Sequence, residues 1–443
     1  MIFQGLILYL ITYSFFTSFT DFTFFTMKTI PEIVAPGGSH DKAIVAAYYG
    51  AEAVYVGVPF TSLRMRQNKL KTFEDLKQTI KAIHAYGSKA YLTMNIFPRN
   101  QDIAIFESVV EQVADVGADG IIFSDPGTFR IIRKYMPDIP MHLSTQTSTL
   151  NYESVQFRYD VWIRRVVLAR ELSIDEIIEI KKHVPQMELE VFVHGAMCMS
   201  YSGRCLLGDY MNGRPGNKGE CSHACRFKYK VRLEEERRPG KLFQLEEGEN
   251  SSHILSSKDL CTIDKLDKIL PYVDALKIEG RSKSEFYVGG IVKAYKHVRD
   301  SILAWKIPDE NIKNLVNAIP HRTYRDGFLF NKLAAYPEGE NTEAGVTSTT
   351  LTTAGPLFNR NYFGVFTDQF IEHNGQKYFQ IDAKEVIEPG MKIKYFSPTA
   401  MGTLEIKEIL DAKANSLEKA TCNTWPVYIM TDTALSGREI LYI

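Results

Sequence analysis

Four of the six cysteines in this chain lie close together, between Cys198 and Cys225. Their spacing is C-x6-C, then fifteen residues, then C-x3-C, and five glycines are interspersed among them. Thiolates clustered in one loop could bind zinc, hold an iron–sulfur cluster, pair as disulfides or supply a nucleophile. Zinc sites usually combine two tight C-x2-C hairpins, whereas irregular spacing with glycines fits a 4Fe-4S cluster as well or better. We therefore expect a ligand site here rather than four ordinary buried cysteines.

The other residues capable of nucleophilic or hydrolytic chemistry are scattered along the chain. Cys261 and Cys422 stand apart from the cysteine-rich loop, and we predict that both are inert core residues with raised thiol pKa values. His194 and His223 have no evident catalytic partner in the sequence. The metalloprotease pattern H-E-x-x-H and the hydrolase pattern G-x-S-x-G are both absent. The residues alone therefore offer no protease machinery.

A βα rhythm that begins at Pro31 supplies the elements that must position this chemistry. The predicted strands are EIVAPG from Glu32, AVYVGV from Ala53, KAYLTMNI from Lys89, DGIIFSD from Asp119, MHLSTQ from Met141, RVVLAR from Arg165, LEVFVHG from Leu189 and ALKIEG from Ala275. Apolar strands joined by helices predict a parallel sheet, and eight of them favour an α/β fold of the (β/α)8, TIM-like barrel type. The pattern G-x-G-x-x-G is absent after the first strand, which argues against a dinucleotide-binding sheet.

Barrels of this type carry their functional side chains at the C-terminal ends of the strands. The polar residues at or after those ends are Arg64, Arg66, Asn95, Asp125, Ser144, Gln146, Arg170, His194, Glu279 and Arg281. The cysteine-rich loop, residues 195–230, leaves the end of the seventh strand and therefore opens on the same face. We expect the polar residues and the cysteines to converge at one mouth of the barrel.

Composition and charge exclude some classes of protein. The formal net charge is −1, so no field of the whole chain attracts nucleic acid or anionic lipid, and an anionic partner must meet a local patch. Six cysteines in 443 residues are too few for a disulfide framework of the kind that secreted domains use. We therefore expect a cytoplasmic enzyme without stable membrane association.

The chain divides into four segments. Residues 1–26 are rich in Phe, Leu, Ile and Thr and match neither a signal peptide nor a clean membrane span, so we expect Met27 to be the true start, with a membrane anchor as the alternative. Residues 27–310 form the predicted barrel domain, and residues 311–354 form a connector. Residues 355–443 predict a small β-barrel or sandwich, with an Asn-Gly hairpin in EHNGQKY. An accessory RNA- or partner-binding role and a packing role are both open for this last segment.

Beyond these patterns, the segment ELEVFVHGAMCMSYSGRC resembles the signature of the peptidase U32 family, E-x-F-x-x-G-A-M-C followed by G-x-C. Other segments agree with that resemblance: SLRMRQN, HLSTQTSTLN, RVVLARELS, GECSHACRFKY, SSKDLC and ALKIEGRSKSEFYV. It covers nearly all of the chain from Met27 and extends to the β-rich terminal segment.

The resemblance implies a chemistry other than the one in the family's name. Its better-understood members are oxygen-independent hydroxylases of ubiquinone synthesis, in which four cysteines hold a 4Fe-4S cluster, and prephenate-dependent RNA hydroxylation proteins. Matched by position, the resemblance implies Cys198 and Cys205 as one pair of cluster ligands and Cys221 and Cys225 as the other. Because some relatives draw one ligand from elsewhere, Cys261 is the alternative fourth ligand.

The RNA-modifying members imply hydroxylation of the wobble uridine of tRNA at carbon 5, with prephenate as co-substrate. Prephenate carries two carboxylates, so its pocket should offer arginines that can form bidentate pairs. The implied substrate-binding residues are Arg64, Arg66, Gln146, Arg170, Glu279 and Arg281. We expect Arg281 to bind a carboxylate, with pairing to Glu279 as the purely structural alternative.

Three functions follow from the residues and the resemblance: an iron–sulfur tRNA hydroxylase, a peptidase, and a non-catalytic iron–sulfur or zinc accessory protein. The resemblance favours the first of them, and no catalytic residue is assigned. The segment RFKYKVRLEEERRPGK, from Arg226, mixes basic and aromatic residues with three glutamates, which leaves RNA binding and a solvated hairpin both open.

Overall fold

The computed structural model of the 443-residue chain describes residues 29–63, 68–198, 200–221, 223–226, 232–234, 242–244, 258–322, 324–330, 362–435 and 437–443. Several sequence-based predictions lie outside these residues. They are the extension 1–26 with its restart at Met27, the side chains of Arg64 and Arg66, most of the basic segment from Arg226, and the second half of the predicted connector.

Eight parallel strands close into a barrel, which confirms the predicted (β/α)8 class. In order around the barrel they are β1 Glu32–Gly37, β2 Ala53–Gly57, β3 Lys89–Met94, β4 Gly120–Phe123, β5 Met141–Leu143, β6 Arg165–Val167, β7 Glu188–Ala196 and β11 Ala275–Ile278. Pairing between β7 and β11 completes the ring. The remaining strands of this domain are β8 Arg232–Glu234, β9 Leu242–Gln244, β10 Asp259–Cys261 and β12 Tyr324–Arg325. Strand β10 runs antiparallel to the end of β7, and β12 pairs with β10.

Helices follow most of the strands and cover the outside of the barrel, and one further short helix, Leu207–Asn212, lies within the cysteine-rich loop. They are α1 His40–Tyr48, α2 Phe73–Ala85, α3 Ile103–Val113, α4 Pro126–Tyr135, α5 Tyr152–Asp160, α6 Ile174–His183, α7 Leu207–Asn212, α8 Glu285–Leu303, α9 Glu310–Lys313 and α10 Leu315–Ala318. Local sequence explains where they begin: Thr72 with Asp75 and Ser173 with Glu176 form capping boxes at the starts of α2 and α6. Across the described part of the chain, every helix is too short or too polar to cross a lipid bilayer.

The N-terminal half of the barrel interior holds an ionic network. Arg165 is almost fully buried, and its guanidinium lies 2.8 Å from Glu32 Oε2, 2.9 Å from Glu188 Oε2 and 3.3 Å from Glu190 Oε2. The second carboxylate oxygen of Glu190 pairs with the Lys277 ammonium of β11. Burial lowers the pKa of Lys277, and the attraction of Glu190 opposes that effect. The carboxylates thus balance the charges of Arg165 and Lys277, which are buried inside the barrel.

Removing Glu190 should destabilise the fold strongly. A Glu190→Ala variant leaves Arg165 and Lys277 with one fewer buried counter-charge, and breaking a buried pair in this way costs about 3–5 kcal/mol. Urea unfolding measures this difference. Lys407→Ala is the matched control, because Lys407 pairs with Glu405 at the protein surface, where solvent screens the attraction and the pair should contribute little to stability. Equal effects of the two variants would contradict a stabilising role for the interior network.

The C-terminal segment folds as a second closed barrel, antiparallel throughout. Its strands are β13 Tyr362–His373, β14 Gln376–Ala383, β15 Lys392–Phe396, β16 Met401–Asp411, β17 Val427–Thr431 and β18 Ile440–Tyr442. Asn374 and Gly375 have φ values of 50° and 73° and join β13 to β14, which confirms the predicted hairpin.

The second barrel packs against helices α1 and α8 of the first. Tyr49, at the C-terminal end of α1, donates a hydrogen bond from its hydroxyl to the carbonyl of Phe396 at 2.9 Å. The rings of these two residues pack edge to face. Phe286 of α8 stacks on Tyr362 with 5.6 Å between ring centroids. Lys293 donates to the carbonyl of Pro398 at 2.8 Å. These contacts give the segment a packing role, while its accessory binding role stays a prediction.

Candidate functional site at the barrel mouth

Buried polar side chains from several strand ends form one connected network across the barrel mouth. Gln146 Oε1 accepts hydrogen bonds from the hydroxyls of Ser124 at 3.1 Å and Ser144 at 3.4 Å. Asn95 donates from Nδ2 to Ser144 Oγ at 3.4 Å. The other amide atom of Asn95, Oδ1, accepts from the backbone N–H of Leu63 at 3.1 Å. The network thus runs from the β5 end to the loop after β2, as the predicted convergence of strand ends requires.

Arg281 anchors the other side of this network. It is 6% exposed, donates from Nη1 to Thr93 Oγ1 at 2.8 Å and from Nη2 to the carbonyl of Leu63. A Cβ built on Gly57 would lie 2.8 Å from Arg281 Nη1 and 2.7 Å from Ser62 Oγ. A larger residue at this position would displace one or both of these side chains, so Gly57 leaves room for a cation and a hydroxyl beside the end of β2.

Several buried polar atoms at the mouth have no hydrogen-bond partner among the described residues, among them Thr61 Oγ1, Ser62 Oγ and Gln146 Nε2. Their side chains are only 1%, 0% and 2% exposed, respectively. Leaving buried polar groups unpaired costs free energy, and a group left unpaired at a cleft indicates a missing ligand. Sequence reasoning missed Thr61 and Ser62, although they directly precede the predicted arginines. A ligand with several oxygen acceptors would satisfy this donor set.

Glu279 and Arg170, both predicted site residues, follow β11 and β6, the two strands that flank β7 in the barrel. Glu279 Oε2 lies 3.5 Å from the hydroxyl of Tyr55, within the barrel. Arg170 places its guanidinium carbon 3.9 Å from the ring centroid of Phe192 and donates from Nη1 to the carbonyl of Ala196 at 2.9 Å. Arg170 therefore braces the point where the cysteine-rich loop leaves β7.

Asp125 has a structural position rather than a place in this network. Its carboxylate accepts from the backbone N–H groups of Gly127 at 2.8 Å and Thr128 at 3.0 Å and so caps the start of α4. An N-cap carboxylate satisfies backbone donors that a helix start leaves open. The polar residue at the end of the fourth strand is thus explained by the helix that follows it.

The sequence offers His194 no evident catalytic partner, and the ring contacts that the structure describes are two tyrosine hydroxyls rather than a nucleophile. Its ring is 1% exposed, with Nδ1 3.3 Å from the Tyr295 hydroxyl and Nε2 3.4 Å from the Tyr324 hydroxyl. The register between β7 and β11 shifts at this point, and the ring packs among tyrosines from α8 and β12. Burial lowers the pKa of His194 to about 3, so the imidazole is neutral near pH 7.

The two outlying cysteines differ from each other. Cys261 packs against the core beside Tyr295, whose hydroxyl lies 3.7 Å from Sγ, and burial raises the pKa of its thiol to about 11. The predicted packing against the core and the raised thiol pKa are found there, although the side chain is only partly buried, and its inertness stays a prediction. Cys422 is exposed on the second barrel, so its predicted core position is wrong. The sequence around it, ATCNTW, forms a turn between strands instead of a strand.

Stability should fall as the pH is lowered, in part through His194. The folded protein keeps this ring neutral down to about pH 3, whereas the unfolded chain binds a proton near the ordinary pKa of 6.5. Below that value the unfolded state binds one proton more, which favours unfolding progressively. Urea unfolding of His194→Gln should therefore lose less free energy between pH 7 and pH 4 than the wild type does. The same slope in both proteins would refute this assignment.

The cysteine-rich loop lies across the mouth. The carbonyl of Asn217 accepts from the N–H of Phe97, after β3, at 3.2 Å. Ser148, after β5, donates from its hydroxyl to the carbonyl of Ser202 at 3.3 Å. Gly203 has a φ of 76°, and a Cβ built there would lie 2.9 Å from Gln146 Cβ. Glycine thus supplies both the left-handed turn and the close approach that seat the loop on the pocket floor.

The donor set of the loop fits a 4Fe-4S cluster in number and type. Cys198, Cys205, Cys221 and Cys225 are all free thiols, and the last three are partly buried. The N–H of His223 donates to Cys221 Sγ at 3.4 Å, a contact of the kind that backbone amides make with cluster sulfurs. As the loop stands, no three His, Cys, Asp or Glu side chains of the described residues are grouped closely enough for a metal site. The cluster therefore stays a proposal.

Comparison with known proteins places this architecture in a family. The profile of Peptidase family U32 matches residues 38–337. The chain is 37% identical over 337 residues to tRNA hydroxylation protein P of Escherichia coli (strain K12), covering 68% of this chain and 74% of that protein. It is 32% identical over 432 residues to tRNA hydroxylation protein P of Haemophilus influenzae, covering 88% and 91%.

A third relative carries a different name. The chain is 30% identical over 315 residues to a protein named collagenase from Porphyromonas gingivalis, covering 68% of this chain and 74% of that protein. Family membership therefore does not by itself choose between RNA and peptide chemistry. The match over most of the barrel, together with the cysteine signature at the end of β7, shows that the chain belongs to peptidase family U32.

Proposed function

We propose that this protein hydroxylates the wobble uridine of tRNA at carbon 5, without molecular oxygen, with prephenate as co-substrate and a 4Fe-4S cluster as cofactor. The observation that carries the proposal is the polar floor beneath the cysteine-rich loop, with its buried arginine and several polar atoms without a partner among the described residues. Two relatives named for tRNA hydroxylation, similar over most of their lengths, support the RNA substrate.

Arg281 would bind one carboxylate of prephenate. Its guanidinium is buried at the mouth, where a charge-assisted hydrogen bond is stronger than in water. The hydroxyls of Thr61 and Ser62 and the amide of Gln146 would donate to the remaining oxygens, since each lacks a partner among the described residues. These groups would orient the small molecule and exclude water from the pocket.

Cys198, Cys205, Cys221 and Cys225 would hold the cluster. Exchanging the hydrogen at carbon 5 for a hydroxyl removes two electrons from the base, so the co-substrate would have to supply the oxygen and take up both electrons. A bound 4Fe-4S cluster would pass those electrons one at a time. Gly203 seats the loop on Gln146, so the cysteines and the small-molecule floor belong to one mouth. Arg170 would hold the loop's origin through the Ala196 carbonyl.

Nucleosides from a deletion strain test the proposal directly. Mass spectrometry of digested tRNA should show loss of the 5-hydroxyuridine-derived nucleosides in a strain that lacks this gene, and expression of the wild-type chain should restore them. Variants of the four loop cysteines should fail to restore them. Full restoration by a variant that carries all four Cys→Ala changes would reject the cluster-dependent hydroxylase.

Peptidase activity is the second candidate, which the relative named collagenase favours. Hydrolysis needs an activated nucleophile or a metal-bound water. The described candidates suit neither role: His194 is buried between two tyrosines with a pKa of about 3, and the pKa of Cys261 is about 11.

Purified protein, with its cluster intact and host proteases removed, should therefore leave gelatin and casein undigested. The measurement is release of labelled peptide over hours at neutral pH. Cleavage that disappears in a single-residue variant with an unchanged melting temperature would restore the peptidase. Cleavage that persists in every variant and varies between preparations would identify a contaminating protease and leave the expectation standing.

A further inference from the structure

Two exposed aromatic rings are close in sequence to the buried polar groups of the barrel mouth. Phe60 is 61% exposed and immediately precedes Thr61, whose hydroxyl lacks a partner among the described residues. Tyr201 is 50% exposed and lies two residues before Gly203, the residue seated on Gln146. Each ring is thus within two residues of a group that forms the pocket floor.

The backbone holds Phe60 in a strained conformation. Its φ is 64°, and the N–H of Thr61 donates to the carbonyl of Pro59 at 2.9 Å, which closes a three-residue turn centred on Phe60. Such turns are rare for residues with large side chains, and strain of this kind concentrates at functional sites. Because the ring remains exposed, burial of the ring does not compensate for that strain.

A third exposed ring lies further along the cysteine-rich loop. Tyr210 on α7 is 88% exposed, next to the exposed side chain of Met211. Arg204 and Arg214 are exposed on the same loop. By sequence, residues 200–226 contain four Lys or Arg and two Asp or Glu. The loop therefore combines accessible aromatic faces with a local excess of positive charge, on a chain whose net charge is −1.

We propose that Phe60, Tyr201 and Tyr210 form an aromatic rim that stacks on unpaired bases of an RNA loop and delivers one of them to the pocket. This inference rests on the proposed function and names the groups that recognise its RNA. Unpaired bases have apolar faces that stack on aromatic side chains, whereas a duplex hides those faces. The exposed arginines would contact the phosphates that flank the stacked bases.

Fluorescence anisotropy with a labelled anticodon stem-loop tests the rim on the full-length protein. Replacing any one of the three rings by Ala should raise Kd about 5-fold to 150-fold, the effect of losing one base–aromatic stack. Tyr201→Phe and Tyr210→Phe should bind like the wild type, because the ring and not the hydroxyl stacks. Trp162→Ala is the control: Trp162 is 83% exposed but follows α5 and precedes β6, at the opposite end of the barrel.

Unchanged Kd values in all three Ala variants would overturn the rim, and so would an equal loss in Trp162→Ala. Equal affinity of the wild type for a duplex of the same length would overturn it too, since a duplex offers no free base faces. A collagen-derived peptide that loses affinity in the Ala variants while the RNA does not would assign the surface to a protein partner instead. Binding needs no turnover, so ring-dependent RNA binding without hydroxylation would uphold the rim and reject only the proposed reaction.

Discussion

Purified Cys198→Ala and Cys221→Ala proteins will lose their iron and all hydroxylation activity. A 4Fe-4S cluster is held by four thiolates, so loss of one ligand from either pair leaves it incompletely bound. Anaerobic preparations of the wild type should contain about four iron atoms per chain and absorb in the visible range, and the variants should be nearly colourless. Iron analysis, the visible spectrum and tRNA nucleoside analysis measure the three consequences separately.

Two other cysteines provide matched controls for this experiment. Cys422→Ala should retain full iron and activity, because its side chain is exposed on the second barrel. Cys261→Ala should also retain iron, since its thiol packs beside Tyr295 and burial raises its pKa to about 11. Iron loss in Cys261→Ala, with Cys225→Ala unaffected, would move the fourth ligand to Cys261. Wild-type iron content in Cys198→Ala would contradict the cluster assignment as a whole.

Arg281→Met will abolish prephenate-dependent hydroxylation while the cluster stays bound. Truncating one partner of a buried, hydrogen-bonded charge pair costs about 2–5 kcal/mol. A cost of about 3 kcal/mol corresponds to roughly a 100-fold loss of prephenate affinity. The measurement is prephenate binding by calorimetry, together with nucleoside analysis and iron content. Prephenate should raise the melting temperature of the wild type but not that of the variant.

The alternative is that Arg281 only holds the loop after β2 through the Leu63 carbonyl. Thr93→Val separates the two roles, because it removes one intramolecular partner of the guanidinium and leaves the charge in place. We expect this control to bind prephenate within about tenfold of the wild type, the effect of losing one neutral hydrogen bond. Normal prephenate binding by Arg281→Met, with only a lowered melting temperature, would leave Arg281 a structural residue.

The polar residues at the mouth were partly predictable, because local sequence patterns indicate the order of the strands and the residues at which they end. Apolar segments of strand length alternate with helical periods, and this pattern places Asn95, Ser144, Gln146 and Arg281 at the ends of strands that a barrel must bring together. The structure connects them through hydrogen bonds of 2.8–3.4 Å from donor to acceptor. The cysteine-rich loop was equally predictable, since its position follows from the end of β7.

Other features depended on partners that are distant in sequence. The strands containing Glu190 and Lys277 are apolar enough to predict burial, but only closure of the barrel between β7 and β11 shows that these two charges neutralise each other. Nothing in the sequence indicated the surroundings of His194, and tyrosines 101 and 130 residues away lie at its ring. Cys422 resembled a core residue, yet its segment forms an exposed turn.

The sequence by itself determined the eight-stranded barrel, the polar residues at its strand ends and the position of the four loop cysteines, because hydrophobic periodicity and residue spacing are local properties of the chain. Only the tertiary structure decided that Asp125 caps a helix and that Thr61 and Ser62 lack partners among the described residues. Whether a buried polar group is paired depends on which distant backbone and side-chain atoms approach it. Tertiary packing determines which atoms approach, and the spacing of residues along the chain does not encode it.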